Sequence, residues 1–180
     1  MKALEILCVL HGIKPVARQG FYDSEITAVD EFCKISGLFV EKSRDRIEVH
    51  GVGYSNVGQR GKHGLKLLYI SKDEIKAAQA CLFETRQDHM QAGIALGYPR
   101  CCAEFFAKSF VEGNLNPVHL PTNPWTNLTQ RENDACLLSH FPCHSDCDAS
   151  VAIARQNFEL LSKTDSKTAR EIYSALATAQ

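Results

Sequence analysis

The 180-residue sequence predicts an α+β fold, with a small N-terminal antiparallel sheet and a mainly helical C-terminal half that carries a cysteine/histidine cluster. Three observations predict it. Short strand-like runs and a glycine-rich loop occupy the first 70 residues. A serine–glutamate helix start at 71–74 opens a helical stretch, and five of the eight cysteines crowd into residues 101–147. The length suits one domain over residues 1–180, with an α/β lobe at 1–70 and a helical, Cys/His-rich part at 71–180.

Residues 3–10 form a short apolar element, helix or strand. Asp23 and Ser24 cap a helix running to about Ser36, with Ile26, Val29, Phe32 and Cys33 on one side, and Gly37 ends it. GLFVEK (37–42) and DRIEVHG (45–51) read as two short strands and LKLLYIS (65–71) as a third, a small antiparallel meander. The loop before the third strand holds Gly58, Gly61 and Gly64 with Arg60, Lys62, His63 and Lys66. A solvated hairpin loop is the plain reading of it, an anion contact the alternative.

Ser71 and Glu74 form a capping box that opens one long helix to about Leu96. Its inner line is Ile75, Ala78, Leu82, Thr85, His89, Ala92 and Leu96, spaced by threes and fours as a buried stripe requires. Gly97 and Pro99 stop it. A second helix starts near Arg100 and runs to about Val111, with Phe105, Phe106 and Phe110 inward. Residues 113–127 hold three prolines and four asparagines and predict an irregular loop. Further helices are expected at about 129–141, 145–162 and 165–178.

The composition narrows the function classes. Apolar residues make up 44% and charged residues 23%, the balance of a globular chain rather than a disordered one. The net charge is −1, with acidic and basic residues mixed along the chain, so nothing builds the one-sided positive field that nucleic acid needs. No apolar run approaches the roughly 20 residues of a membrane span. The first fifteen residues lack a small-residue cleavage pattern, so no signal peptide is expected. Eight cysteines without a secretion signal point to a reduced, cytoplasmic setting and to thiols with packing, catalytic or metal roles rather than disulfides. Cys8, Cys33 and Cys81 are scattered among apolar neighbours, as buried free cysteines are.

The cluster carries the chemistry. If a helix begins near Pro142, Cys143 and Cys147 share a face at i and i+4 that continues through Val151, Ala154, Phe158 and Leu161. His140 precedes Cys143 by three residues, so H-x-P-C-x-x-x-C gathers three metal-binding side chains in one short segment. In LGYPRCC (96–102), a Gly-Tyr-Pro break puts Cys101 and Cys102 on the first turn of a helix, where free N–H groups and the helix dipole stabilise thiolate. Metals bind thiolates, not thiols. The expected ligands are therefore Cys101, Cys102, His140, Cys143 and Cys147. Cys101 and Cys102 are not expected to bridge each other, since adjacent Cα atoms lie about 3.8 Å apart, below the usual disulfide range. Cys102 leans towards the core and either can be the ligand. Cys136, four residues before His140, is a further ligand or a packing residue. His89 on the core stripe is a satisfied core histidine or a proton-transfer group. Asp146 or Ser145 caps the following helix.

LGYPRCCAEFF (96–106) and HFPCHSDCDAS (140–150) resemble the paired signatures LGYPxCCxxFF and HxPCxxxCxxS of an uncharacterised prokaryotic family, the domain of unknown function numbered 483. The resemblance covers about residues 65–160. It implies that Cys101, Cys102, His140, Cys143, Cys147 and Ser150 are the positions to watch, and it brings no mechanism with it.

The leading expectation is a metal-binding protein with an iron–sulfur cluster or iron, or else zinc, used for redox or sulfur chemistry. Cys101, Cys102 and His89 are the candidate reacting groups, and the substrate is an unidentified small molecule or protein. Two alternatives stand beside it. One is a zinc-stabilised interaction module with a closed ligand shell. The other is a metal-free thiol enzyme working by disulfide exchange or sulfur transfer. A cavity beside Cys101 would favour catalysis.

Overall fold

The computed structural model describes residues 2–47, 60–61, 64–109, 123–130, 133 and 135–178. The apolar N-terminal element is helical, α1 (Lys2–Leu10). It faces two ways: Val9 packs with Leu68 and Ile70 of the sheet, while Leu4 and Cys8 pack with Leu160, Leu161 and Ala169 of the C-terminal helices. This one helix joins the two halves of the chain.

β1 (Val16–Phe21) follows, a strand the sequence pattern did not announce. Its interior Arg18 and Gln19 break the apolar alternation, although Val16, Ala17, Gly20 and Phe21 are all buried. α2 (Asp23–Ile35) is capped at Tyr22, whose N–H donates to the Glu25 carboxylate at 2.8 Å, so Asp23 and Ser24 lie in the first turn instead. Cys33 faces inward and Phe32 is exposed. Gly37 takes the left-handed conformation (φ +68°) that ends the helix.

The two strands expected at 37–42 and 45–51 are one in the structure, β2 (Phe39–Ile47), with a register shift between Lys42 and Arg46. Ser43 holds the irregularity, its hydroxyl donating to the Asp45 carbonyl and accepting the Leu67 N–H. Residues 48–51 lie outside the described residues, as do Gly58, Lys62 and His63 of the basic loop. β3 (Arg60–Gly61) pairs with the end of β2, and β4 (Leu65–Ser71) is the expected third strand. The order is β1-β4-β2-β3, all pairs antiparallel. β4 is thus flanked on both sides, and its alternate residues serve both faces. Leu68 and Ile70 meet α1 and α2, while Leu67 and Tyr69 meet Ala77, Ala80 and Cys81 of the next helix.

The long helix expected at 71–96 is two helices, α3 (Glu74–Thr85) and α4 (His89–Ala95). Asp73, not Ser71, caps α3 by accepting the Ile75 and Lys76 N–H groups. The break falls at Gln87, which adopts φ +59°, and Asp88 caps α4 by accepting the Gln91 N–H at 3.0 Å. The buried face of α3 is Ala77, Ala80, Cys81 and Glu84; Ile75 (68% exposed), Ala78 and Leu82 of the expected stripe face outward.

Gly97 (φ +81°) and Pro99 end α4 as expected, and α5 spans Arg100–Ser109. A Cβ on Gly97 would lie 2.6 Å from Pro15 Cδ, so the turn before α5 is pressed against the start of β1. Phe105 and Phe106 are half-buried, and Phe110 lies outside the described residues.

No helix spans 129–141 among the described residues; residues 135–147 are irregular. Cys136, Leu137 and Leu138 are all buried in this irregular segment. The Asn157 side-chain amide donates to the Leu137 carbonyl, standing in for a helical hydrogen bond. The chain then forms α6 (Asp148–Thr164) and α7 (Ser166–Thr178), which pack with Trp125 and Leu137 around Ala154 and Leu176. No helix among the described residues is long and apolar enough to cross a membrane.

Candidate metal centre

Two turns, some forty residues apart in the chain, bring four sulfurs together. Cys101 and Cys102 sit on the first turn of α5, as the Gly-Tyr-Pro break implies: the Cys102 and Ala103 N–H groups both bond to the Pro99 carbonyl. Cys147 is the N-cap of α6, and Cys143 stands in the irregular turn before it. The helix expected to start near Pro142 instead starts at Asp148, so Cys143 and Cys147 are not an i, i+4 helical pair. The turn that replaces it is closed by the Cys147 N–H bonding to the His144 carbonyl at 3.2 Å and by Thr126, whose hydroxyl donates to the Ser145 carbonyl.

The ligand atoms of Cys101, Cys102, Cys143 and Cys147 all lie within 4.8 Å of one another. Cys102 Sγ is 3.7 Å from Cys147 Sγ, while Cys101 Sγ is 3.8 Å from Cys147 Sγ and 3.9 Å from Cys102 Sγ. An ion with metal–sulfur bonds of about 2.3 Å sets four tetrahedral sulfurs about 3.8 Å apart. The three separations match that edge, and the four thiols are close enough to share one metal ion. Cys101 is the exposed member, Cys143 is half-buried, and Cys102 and Cys147 are buried. Both adjacent cysteines therefore belong to the group, which the sequence left open.

As free thiols, Cys102, Cys143 and Cys147 would titrate unequally. Burial pushes Cys102 well above the usual thiol range, against the pull of Ser150 and the Cys143 amide. Burial and hydrogen bonding to Cys147 and Cys101 push Cys143 up to about 11. Burial opposes ionisation of Cys147 too, but the hydroxyl and amide of Ser150 and the neighbouring thiols draw it down to about 7. Of these three, Cys147 is the most ready to be a thiolate, and it sits at a helix N-terminus, where negative charge is stabilised.

His140 is not in the four-sulfur group, contrary to its expected place among the ligands. Its ring is buried and its Nε2 lies 2.9 Å from Ser150 Oγ, which in turn lies 3.2 Å from Cys102 Sγ. Residues 135–141 are irregular rather than helical, and they bring His140 to Ser150 in the first turn of α6 rather than into the four-sulfur group. The Cys143 N–H points at Cys102 Sγ at 3.4 Å. Cys136 is buried elsewhere, lining a depression with Leu4 and Leu161, so the helix face it was to share with His140 does not exist. Cys8, Cys33 and Cys81 are buried free cysteines, as expected, and burial raises the pKa of each.

A cavity of about 90 Å³ borders the far side of Cys102, walled also by Arg18, Glu84, His89, Tyr98, Phe106 and His140. Cys101 is not among its walls. His89, the first residue of α4, is half-buried with its ring edge-on to Phe106 at 5.7 Å, and burial lowers its pKa. Sequence reasoning missed Arg18, Glu84 and Tyr98. Arg18 and Glu84 form a buried ion pair at 2.5 Å, joined by the Tyr69 hydroxyl at 2.5 Å from Glu84. Tyr98 had a signal, since it lies inside the LGYP turn.

No family model, no curated protein and no solved structure matches the chain.

Proposed function

We propose that this is a metal-binding protein in which Cys101, Cys102, Cys143 and Cys147 hold a single tetrahedral ion, zinc or iron. The observation that carries the reading is the sulfur geometry, with separations of 3.7, 3.8 and 3.9 Å and no pair in the group beyond 4.8 Å. An iron–sulfur cluster spreads its thiolates around several irons and so favours wider spacing than sulfurs sharing one ion. Thiols that merely fill the core would not need four mutual neighbours.

Four sulfurs complete a shell, as in structural zinc sites, whereas catalytic sites keep a position open. Zinc held this way cross-links the start of α5 to the irregular turn and to the start of α6. A second reading, one-electron redox chemistry at iron in the same shell, is favoured by the exposure of Cys101, which brings one ligand sulfur to the surface. The motif resemblance to domain of unknown function 483 is consistent with both readings and selects neither.

The test is metal analysis and an absorption spectrum on protein purified without air. One zinc or one iron per chain, without acid-labile sulfide, is the expected result. Metal-free protein with all eight cysteines reduced would overturn the reading, and two or more irons with sulfide would replace it with a cluster.

A further inference from the structure

We infer that His140 and Ser150 are positioning residues for the metal centre, forming a hydrogen-bond relay that ends on the Cys102 thiolate. The inference rests on the metal-binding reading above and deepens it. The three groups form a chain of contacts, with His140 Nε2 2.9 Å from Ser150 Oγ and Ser150 Oγ 3.2 Å from Cys102 Sγ. All three are buried: Ser150 is 0%, Cys102 1% and His140 4% exposed. Their polar atoms are therefore satisfied within the protein rather than by bulk water.

The direction of the relay follows from a count of protons. A metal-bound Cys102 has no S–H, so its sulfur only accepts. Ser150 has one hydroxyl proton. If it pointed to His140, the sulfur would lose its side-chain donor. If His140 carries its proton on Nε2, that N–H donates to Ser150 Oγ and the hydroxyl proton is turned towards sulfur. Only the second arrangement places a donor at both contacts. His140 thus enters as the Nε2–H tautomer, and Ser150 passes its orientation on to the metal ligand. The Cys143 N–H at 3.4 Å is a further donor to the same sulfur. Cys102 in this way has a side-chain and a backbone donor within the protein, while Cys101 stands at the surface. The relay also accounts for His140 and Ser150 in H-x-P-C-x-x-x-C-x-x-S, two motif residues that do not belong to the four-sulfur group.

Cobalt(II) in place of the native metal reports the relay directly, because its sulfur-to-metal charge-transfer band responds to the charge on each thiolate. Ser150→Ala and His140→Ala are expected to shift that band and to weaken cobalt binding by about 10- to 100-fold. His140→Gln, whose side-chain amide can donate where Nε2–H does, is expected to restore the band and to bind within about threefold of the parent. Nitrogen-15 spectra of the zinc-loaded parent are expected to show His140 protonated at Nε2 and not at Nδ1, a readout that needs no variant to fold. An unchanged band in both alanine variants would overturn the inference, as would a proton on Nδ1. A parent protein that binds neither cobalt nor zinc would sink the metal reading itself, a different result from either.

Discussion

Cys102→Ser is expected to weaken zinc or cobalt binding by about 100- to 1,000-fold, because a structural zinc site worth roughly 10–16 kcal/mol shares that energy among four ligands. Cys102 is the most deeply buried ligand, 1% exposed, with four groups around its sulfur: Cys101 Sγ, Cys147 Sγ, Ser150 Oγ and the Cys143 amide. A serine hydroxyl there is a poor anion and offers a shorter reach. Chelation of the parent should have a matching effect on stability. An ion at a thousand times its dissociation constant contributes about 4 kcal/mol, and at roughly 2–4 °C per kcal/mol for a chain of this size its removal should lower Tm by about 8–16 °C. The loss should concentrate in residues 135–147, where side-chain bonds such as Asn157 to Leu137 replace regular structure. Cys81→Ala, at a buried cysteine in the sheet-facing core, is the control and should leave metal affinity within about twofold. Competition titration with a chromogenic chelator measures each variant, and equal affinities for Cys102→Ser and the parent would reject the four-sulfur site.

Glu84→Ala should destabilise the fold by about 3–5 kcal/mol, the cost of removing one partner from a buried ion pair. Glu84 accepts from both Arg18 Nε and Nη2 and from the Tyr69 hydroxyl, and it is 8% exposed. Burial works against the Arg18 charge, and Glu84 more than compensates, holding the guanidinium above its ordinary range. Without the carboxylate, α3 would leave a charge and a phenol stranded against β1 and β4. Glu84→Gln keeps an acceptor and should fall between the parent and alanine. Glu104→Ala, whose pair with Arg100 is exposed, should cost no more than about 0.5 kcal/mol. Urea denaturation measures all three. A change below about 1 kcal/mol for Glu84→Ala would mean that water reaches Arg18.

The parts legible in the sequence were those where one local signal had no competitor. LKLLYIS is apolar on both faces because β4 is flanked in the sheet and covered on both sides, and it reads as a strand without help. The Gly97–Pro99 break places Cys101 and Cys102 on the first turn of α5, where the structure has them. Elsewhere a stronger signal hid a weaker one. Ile75 and Leu82 drew the buried stripe of α3 to the wrong side, because its true inner face is made of small residues, Ala77, Ala80 and Cys81, which let the helix sit close to the sheet. The break at Gln87 had its own mark, Asp88 followed three residues later by Gln91, a helix start embedded in a longer periodic run. β1 was concealed by Arg18 and Gln19. Arg18 is there for Glu84, a partner 66 residues away that no local pattern displays.

The cysteine cluster was legible by a similar balance. Chemistry singled out five residues, and the structure gathers four of them into one group. His140 was placed among the ligands because it precedes Cys143 by three residues, with a helix expected over about 129–141. The segment is irregular instead, with Cys136, Leu137 and Leu138 buried, and it carries the imidazole to Ser150. Its part in the site is a tertiary fact, set by where α6 begins.

X-ray absorption at the metal edge of the loaded protein tests the four-sulfur centre most directly. The account predicts four sulfur scatterers at about 2.3 Å with no second metal nearby. A shell containing nitrogen from His140, or a metal–metal vector, would contradict it.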